Sequence, residues 1–118
     1  MRYFLLLSLA LLGCSPNGNE VTVSVVNASH QTLTDIRVIS GGDKFYLKDI
    51  QAGADHKMTL RPGQASDYQV TFFYSMHDHQ TVWESDSLPA GKDYLLEARV
   101  ADDGGVHARH CPLPCQLP

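Results

Sequence analysis

The sequence predicts an all-β fold, an antiparallel β-sandwich of about seven or eight strands. Apolar residues recur at every second position from Val21 onward, which is the period of a half-buried strand. Clusters of Gly, Pro, Asp and Ala separate these segments at intervals of about ten residues, as in sandwiches and barrels. No amphipathic helical window follows residue 20. The expected architecture is immunoglobulin-like or transthyretin-like.

The strands follow in order along the chain. The first begins with Val21, Val23 and Val25, which alternate with polar residues, and it ends at Asn27. Arg37 and Phe73 are expected on the opposite face from the apolar residues of their own strands. The later strands are marked by these apolar residues: Ile36 and Val38; Phe45 and Leu47; Met58 and Leu60; Tyr68, Val70, Phe72 and Tyr74; Val82 and Trp83; Tyr94, Leu96, Ala98 and Val100; Val106 and Ala108.

The segment Leu88-Pro89-Ala90-Gly91-Lys92-Asp93-Tyr94 resembles the approach to the penultimate strand of fibronectin type III and related immunoglobulin-like domains. In those domains a Leu-x-Pro-Gly turn precedes a tyrosine whose hydroxyl bonds back to the backbone, the tyrosine corner. The resemblance implies that Tyr94 is the corner tyrosine and that Leu96 and Val100 lie in the core. It implies an architecture and carries no function.

The N-terminus has the layout of a signal peptide. Arg2 supplies a positive charge, and the apolar run that follows is shorter than the roughly 20 residues a membrane-spanning helix needs. The run closes with Leu11-Leu12-Gly13-Cys14, which resembles a bacterial lipobox. The resemblance implies cleavage before Cys14 and lipidation of its sulfur. An ordinary secretory signal followed by an unrelated cysteine is the alternative.

These features predict the domain organisation of the precursor. Ser15, rather than Asp, after the cysteine implies sorting to the outer membrane, on its periplasmic face, by the enteric-type rule. The short polar tether that follows holds the folded domain close to the membrane. The predicted segments are a lipoprotein signal peptide at 1–13, the lipidated cysteine and tether at 14–20, the β-sandwich at 21–110 and a Cys/Pro-rich tail at 111–118.

The net charge of the chain indicates which classes of partner to expect. Thirteen Asp and Glu residues oppose nine Lys and Arg, for a formal net charge of −4 at pH 7. An acidic chain without a basic cluster is repelled by nucleic acid, so no nucleic-acid partner is expected. The expected contacts are the membrane, through the lipid, and an envelope protein.

Two cysteines near the C-terminus, Cys111 and Cys115, are predicted to form a disulfide in the oxidising envelope. Metal ligation and free thiols are the alternatives. An extended Pro-Leu-Pro segment would hold the two Cα atoms too far apart, so this segment must turn.

Four histidines suggest a metal site. His77 and His79 stand two residues apart, and His107 and His110 precede Cys111. Imidazole, thioether and thiolate ligands together suit copper, or zinc in part. In the alternative interpretation, His77 and His79 form a polar hairpin tip and His107 faces solvent. No cofactor is assigned.

Catalytic motifs are not found. The chain has no Gly-x-Ser-x-Gly elbow and no phosphate-binding glycine loop before a helix, and Asp102-Asp103 precedes a Gly-Gly turn. We therefore expect a membrane-anchored envelope lipoprotein that is a binding or structural accessory module rather than an enzyme. A periplasmic copper- or zinc-binding protein and an inhibitor of an attacking hydrolase are the alternatives.

Overall fold

The computed structural model of the chain describes residues 20–63 and 67–115. In these two ranges eight strands form two four-stranded sheets, which confirms the predicted all-β sandwich. The strands are β1 (Val21–Asn27), β2 (Thr34–Ser40), β3 (Asp43–Leu47), β4 (Asp55–Leu60), β5 (Thr71–Met76), β6 (His79–Glu84), β7 (Tyr94–Val100) and β8 (Val106–Pro112). Within the described ranges there is no helix long and apolar enough to cross a membrane.

The first sheet has the strand order β4-β1-β7-β8, and the second sheet has the order β3-β2-β5-β6. All neighbours are antiparallel except β1 and β7, which pair in parallel from Val21 opposite Tyr94 to Asn27 opposite Val100. An immunoglobulin constant domain instead groups its strands as ABED and CFG. The observed grouping of the strands therefore differs from that of an immunoglobulin constant domain.

The core lies between the two inner faces, and the period of two predicts it well. The buried apolar side chains of the strands alternate with outward-facing ones, as the pleat requires. The core residues are Val21, Val23, Val25, Leu33, Ile36, Val38, Ile50, Met58, Leu60, Tyr68, Val70, Phe72, Tyr74, Leu88, Tyr94, Leu96, Ala98 and Val100. This set includes Tyr94, Leu96 and Val100, which the resemblance to the tyrosine corner placed in the core. The hydrogen bond from the Tyr94 hydroxyl to the backbone stays a prediction.

Three details depart from the expected strands. Phe45 lies opposite buried Val38 on the inner side, as expected, but it is at the edge of the sheet on β3 and is 38% exposed. Ala108 is exposed on edge strand β8, which is bordered on one side only. Tyr68 lies outside β5 and forms an isolated bridge with Leu88, so β5 begins at Thr71 rather than near residue 68.

The sandwich has two ends. The proximal end holds Glu20, where the described chain begins, and the segments 41–42, 61–63, 67–70, 85–93 and 113–115. Here the Tyr94 N–H donates to the Glu20 carbonyl (3.0 Å), and the Leu113 N–H donates to the Asp93 carbonyl (2.8 Å).

The distal end holds the connections at 28–33, 48–54, 77–78 and 101–105. Strands of about seven residues separate the ends by about 20 Å.

Candidate functional site

A cleft of about 520 Å³ opens on the outer face of the second sheet. It is lined by Asp35, Ile36, Arg37, Tyr46, Leu47, Asp49, Ser75 and Gln80. Most of these residues lie at the strand ends nearest the distal end: β2 begins and β3 ends there, and β5 and β6 meet there. The cleft therefore lies toward the end of the sandwich opposite Glu20.

A β-bulge in β2 shapes one wall of the cleft. Thr34 pairs with Ser75 but Arg37 pairs with Phe73, so β2 carries one additional residue at this point. Asp35, inside the bulge, takes a left-handed backbone conformation with φ +49. Aspartate tolerates this region better than most residues, yet the conformation is uncommon and such strain concentrates at ligand sites. The bulge also interrupts the regular alternation and exposes the Asp35 side chain beside the cleft.

A row of side chains crosses the outer face next to the bulge. In register across the four strands stand Tyr46, Arg37, Phe73 and Val82. The Arg37 guanidinium carbon lies 4.3 Å from the centroid of the Phe73 ring, a cation–π contact. Tyr46 is 68% exposed and Val82 is 56% exposed. Among the described residues Arg37 forms no ion pair, so its charge is available beside an exposed aromatic ring.

Buried Asn27 fixes the loops behind the cleft. Its side-chain N–H groups donate to the carbonyls of Gln31 (2.7 Å) and Ile50 (2.9 Å). Its side-chain oxygen Oδ1 accepts hydrogen bonds from the backbone N–H and the hydroxyl of Ser29 (3.0 and 2.6 Å). A buried amide with all its groups paired holds both loops rigidly, including the segment that carries Asp49 into the cleft.

The four histidines of the metal hypothesis do not converge. His77 and Asp78 form a two-residue turn between β5 and β6 with φ +57 and +61, so His77 and His79 do not share one strand face. His107 lies near the distal end of β8, whereas His110 lies three residues toward the proximal end, with its ring edge-on to Tyr94. No three His, Cys, Asp or Glu side chains in residues 20–63 and 67–115 lie close enough to hold a metal ion. The four histidines thus do not form the expected copper or zinc cluster in the described part of the chain.

The C-terminal cysteines are joined as expected. Cys111 and Cys115 form a disulfide with their Cα atoms 6.2 Å apart, and the Leu113–Pro114 peptide bond in the turn is cis. Cys111 belongs to β8, which continues to Pro112, so the strand reaches two residues beyond the expected domain limit at 110. The lipobox and its Cys14 lie outside the described residues.

Three ionisable groups outside the cleft are perturbed. Burial, with smaller contributions from nearby Tyr94 and Asp93, raises the pKa of Tyr68 to about 12, and the Tyr68 hydroxyl has no hydrogen-bond partner among the described residues. Burial also raises the pKa of Tyr74, whose hydroxyl donates to the Gly104 carbonyl. The hydrogen bond from the His30 ring (2.9 Å) lowers the pKa of Asp102.

Comparison with known proteins supports the fold. No protein-family model matches the chain, and no curated protein matches it. A solved structure is similar: the NMR structure of a protein from Eubacterium rectale has a TM-score of 0.55, with 10% sequence identity over 77% of this chain and 87% of that one. At this identity the likeness shows a common fold alone.

The cleft residues were not predicted from the sequence, although a signal for them was present. Phe73 breaks the alternation of its strand, and Tyr46 stands between Phe45 and Leu47 in a run without polar residues. Both are aromatic residues at positions that the period of two assigns to the outer face. Aromatic residues at outward positions of the same sheet were therefore the indication of a surface with a role beyond solvation.

Proposed function

We propose that this chain is a lipid-anchored envelope lipoprotein whose sandwich acts as a binding or structural accessory module. In this proposal Cys14 carries the lipid and the protein resides on the periplasmic face of the outer membrane. The module presents its cleft to an envelope component. The cleft and Glu20, the residue nearest the tether, lie at opposite ends of the sandwich, and this opposition is the observation that supports the proposal most.

The polar tether and the position of the cleft are compatible with membrane attachment. Six residues between Cys14 and Val21 reach at most about 20 Å, so the proximal end is held near the lipid surface. A sandwich about 20 Å long then carries the cleft away from the headgroups and toward the periplasm. Two or three acyl chains hold such a domain firmly, so the protein surface does not need to bind lipid.

Among the alternatives, the copper- or zinc-binding function loses its support because the four histidines do not converge. The inhibitor alternative keeps the acidic charge as its support. If a basic enzyme were the partner, association would weaken steeply with salt, whereas binding of an uncharged component in the cleft would not.

The proposal is tested by changing the cysteines in the full-length precursor. We expect Cys14→Ser to abolish incorporation of labelled fatty acid and to release the protein from the membrane fraction, because only the thiol accepts the diacylglycerol. The matched control is the double variant Cys111→Ser and Cys115→Ser, which should stay with the membrane. Membrane attachment of Cys14→Ser that is as complete as that of the unchanged protein would contradict the lipoprotein assignment.

A second variant tests whether the protein is sorted to the outer membrane rather than to the inner one. Ser15→Asp should move the protein from the outer to the inner membrane in an enteric-type host. Fractionation of inner and outer membranes on a density gradient measures this shift. An unchanged distribution would contradict the outer-membrane part of the proposal and leave the lipid anchor in place.

A further inference from the structure

The chemistry of the cleft excludes several classes of ligand. Six of its eight lining residues carry polar side-chain groups, which disfavours a purely apolar ligand. Two carboxylates, Asp35 and Asp49, repel anions, while Arg37 opposes a simple cation. A metal ion would need three close carboxylate or imidazole ligands, and the described residues contain no such group. The cleft therefore suits a ligand that is uncharged and polar.

The same residues offer both donors and acceptors of hydrogen bonds. The carboxylates of Asp35 and Asp49 only accept, and the Arg37 guanidinium only donates. Gln80 and Ser75, which are paired across β5 and β6, can do both. A hydroxyl group also donates and accepts, so neighbouring hydroxyls on one ligand can meet a carboxylate and a guanidinium together. Hydrogen bonds to charged groups are the stronger kind.

The ring of Tyr46 adds a flat apolar surface beside the hydrogen-bonding residues of the cleft. Its side chain lines the cleft and is 68% exposed on edge strand β3, so it contributes little to the core. An exposed ring with a polar hydroxyl is typical of recognition surfaces, where one end of the side chain is apolar and the other is wet. The C–H face of a sugar ring is an apolar surface of matching size. The cleft volume also lies within the range of small-molecule sites, about 300–1,000 Å³.

The cleft is held in shape before any ligand arrives. Asp35 is held by the bulge, Arg37 rests on Phe73, and Asn27 fixes the loop that follows Asp49. A fixed arrangement of polar groups reduces the entropy lost on binding. Together with the strained backbone at Asp35, this rigidity is what a binding site requires and what a solvated surface does not.

We propose that this cleft binds a neutral saccharide, with Tyr46 contacting a sugar ring and Asp35, Arg37, Asp49 and Gln80 bonding its hydroxyls. This inference rests on the proposed function as a binding module and names the class of its ligand. The envelope is rich in glycans, and a module anchored by lipid would reach them from the membrane surface. A peptide or an amine in the same cleft is the competing outcome of the test.

The test uses the full-length protein in a detergent without a sugar headgroup, titrated by calorimetry. The probes are chitotetraose, cellotetraose and maltotetraose, with n-butylamine, glutarate and a capped tetra-alanine peptide as comparison ligands. We expect saturable binding of at least one oligosaccharide with a Kd of about 10 µM to 1 mM, which is the strength of an open cleft with few buried contacts.

Variants of Tyr46 and Val82 test whether the saccharide binds in the cleft. Tyr46→Ala should weaken saccharide binding at least about tenfold, whereas Tyr46→Phe should keep most of it because the ring remains. Val82→Ala is the matched control, since Val82 is an exposed apolar residue of the same face that does not line the cleft. It should bind as the unchanged protein does. Because Tyr46 is exposed, thermal unfolding of all three variants should stay close to that of the unchanged protein.

Three results would overturn the proposal: no saturable binding of any oligosaccharide up to about 10 mM, equal binding by Tyr46→Ala, or binding of the amine or peptide alone. These failures differ from failure of the proposed function. A protein that stays on the membrane through Cys14 but binds no saccharide overturns only the ligand class. A protein that binds saccharide but carries no lipid overturns only the anchor.

Discussion

The outward-facing arginines of the two sheets have different kinds of partner. On the first sheet, Arg109 donates to Glu97 across β7 and β8 (2.8 Å), and the hydroxyls of Thr22 and Thr59 meet across β1 and β4 (3.3 Å). On the second sheet, the corresponding outward arginine, Arg37, lies on the Phe73 ring and forms no ion pair with a described residue. Cross-strand pairs of opposite charge are the ordinary state of a solvated sheet face.

This difference supports the proposed place of the binding site. A new contact to Arg109 must first break its bond to Glu97, whereas Arg37 has no ion pair with a described residue to break. The second sheet instead leaves an arginine, an exposed tyrosine and two carboxylates around a cleft.

The largest expected effect tests the assignment of inner and outer faces on β5. Phe72 is buried in the core and Phe73, its neighbour, faces outward with Arg37 above it. Phe72→Ala should lower the free energy of unfolding by about 3–5 kcal/mol because it leaves a cavity. Phe73→Ala should cost no more than about 1–2 kcal/mol. Chemical denaturation measures both, and equal losses would mean that the outer face is part of the core.

Two buried tyrosines, Tyr74 in β5 and Tyr68 just before that strand, differ in the partners of their hydroxyl groups. The Tyr74 hydroxyl donates to the Gly104 carbonyl in the β7–β8 turn and so links the second sheet to the first. The Tyr68 hydroxyl is buried without a described partner. Tyr74→Phe should cost about 1–2 kcal/mol, since it leaves a carbonyl unsatisfied, whereas Tyr68→Phe should be neutral or stabilising by up to about 1 kcal/mol. Thermal melts of the two variants would contradict this account if Tyr68→Phe were the more destabilised.

The smallest expected effect concerns a paired charge at the distal end. Asp102 accepts hydrogen bonds from the ring and the backbone N–H of His30, and these bonds lower its pKa. Because the folded-state pKa is depressed, the stabilisation is present above about pH 4 and is lost as the pH falls through the folded-state value. The stability difference between the unchanged protein and Asp102→Asn, measured by urea unfolding, should therefore shrink on acidification. A difference that grew below pH 4 would have the wrong sign.

The predictable part of the fold is the part that local alternation encodes. In β1 and β7 every second residue is buried, and both strands lie where the pattern predicts them. The parallel pairing of β1 with β7 joins segments about 70 residues apart, and no local pattern encodes it. Edge strands were less predictable: Phe45 has the right period, but β3 has a neighbour on one side only, so Phe45 stays exposed while Leu47 is partly buried.

The candidate site was harder to predict than the fold. The metal hypothesis places His77 and His79 on one strand face, yet the chain reverses at His77 and Asp78, as the alternative of a polar hairpin tip predicts. The bulge at Asp35 is likewise a consequence of tertiary pairing with β5. Arg37 was correctly expected to face outward, but its lack of a partner depends on neighbours that the sequence does not identify.

We expect recognition on the outer face of the second sheet, which carries Arg37, and not on that of the first, which carries Arg109. The side-chain Nε–H resonances of Arg37 and Arg109 can be followed in the same NMR spectrum while the saturating oligosaccharide is added. The account predicts that the Arg37 resonance shifts with the binding curve and that the Arg109 resonance, held by Glu97, stays in place. A shift of the Arg109 resonance as large as that of Arg37, or saturable binding with no change at Arg37, would contradict it.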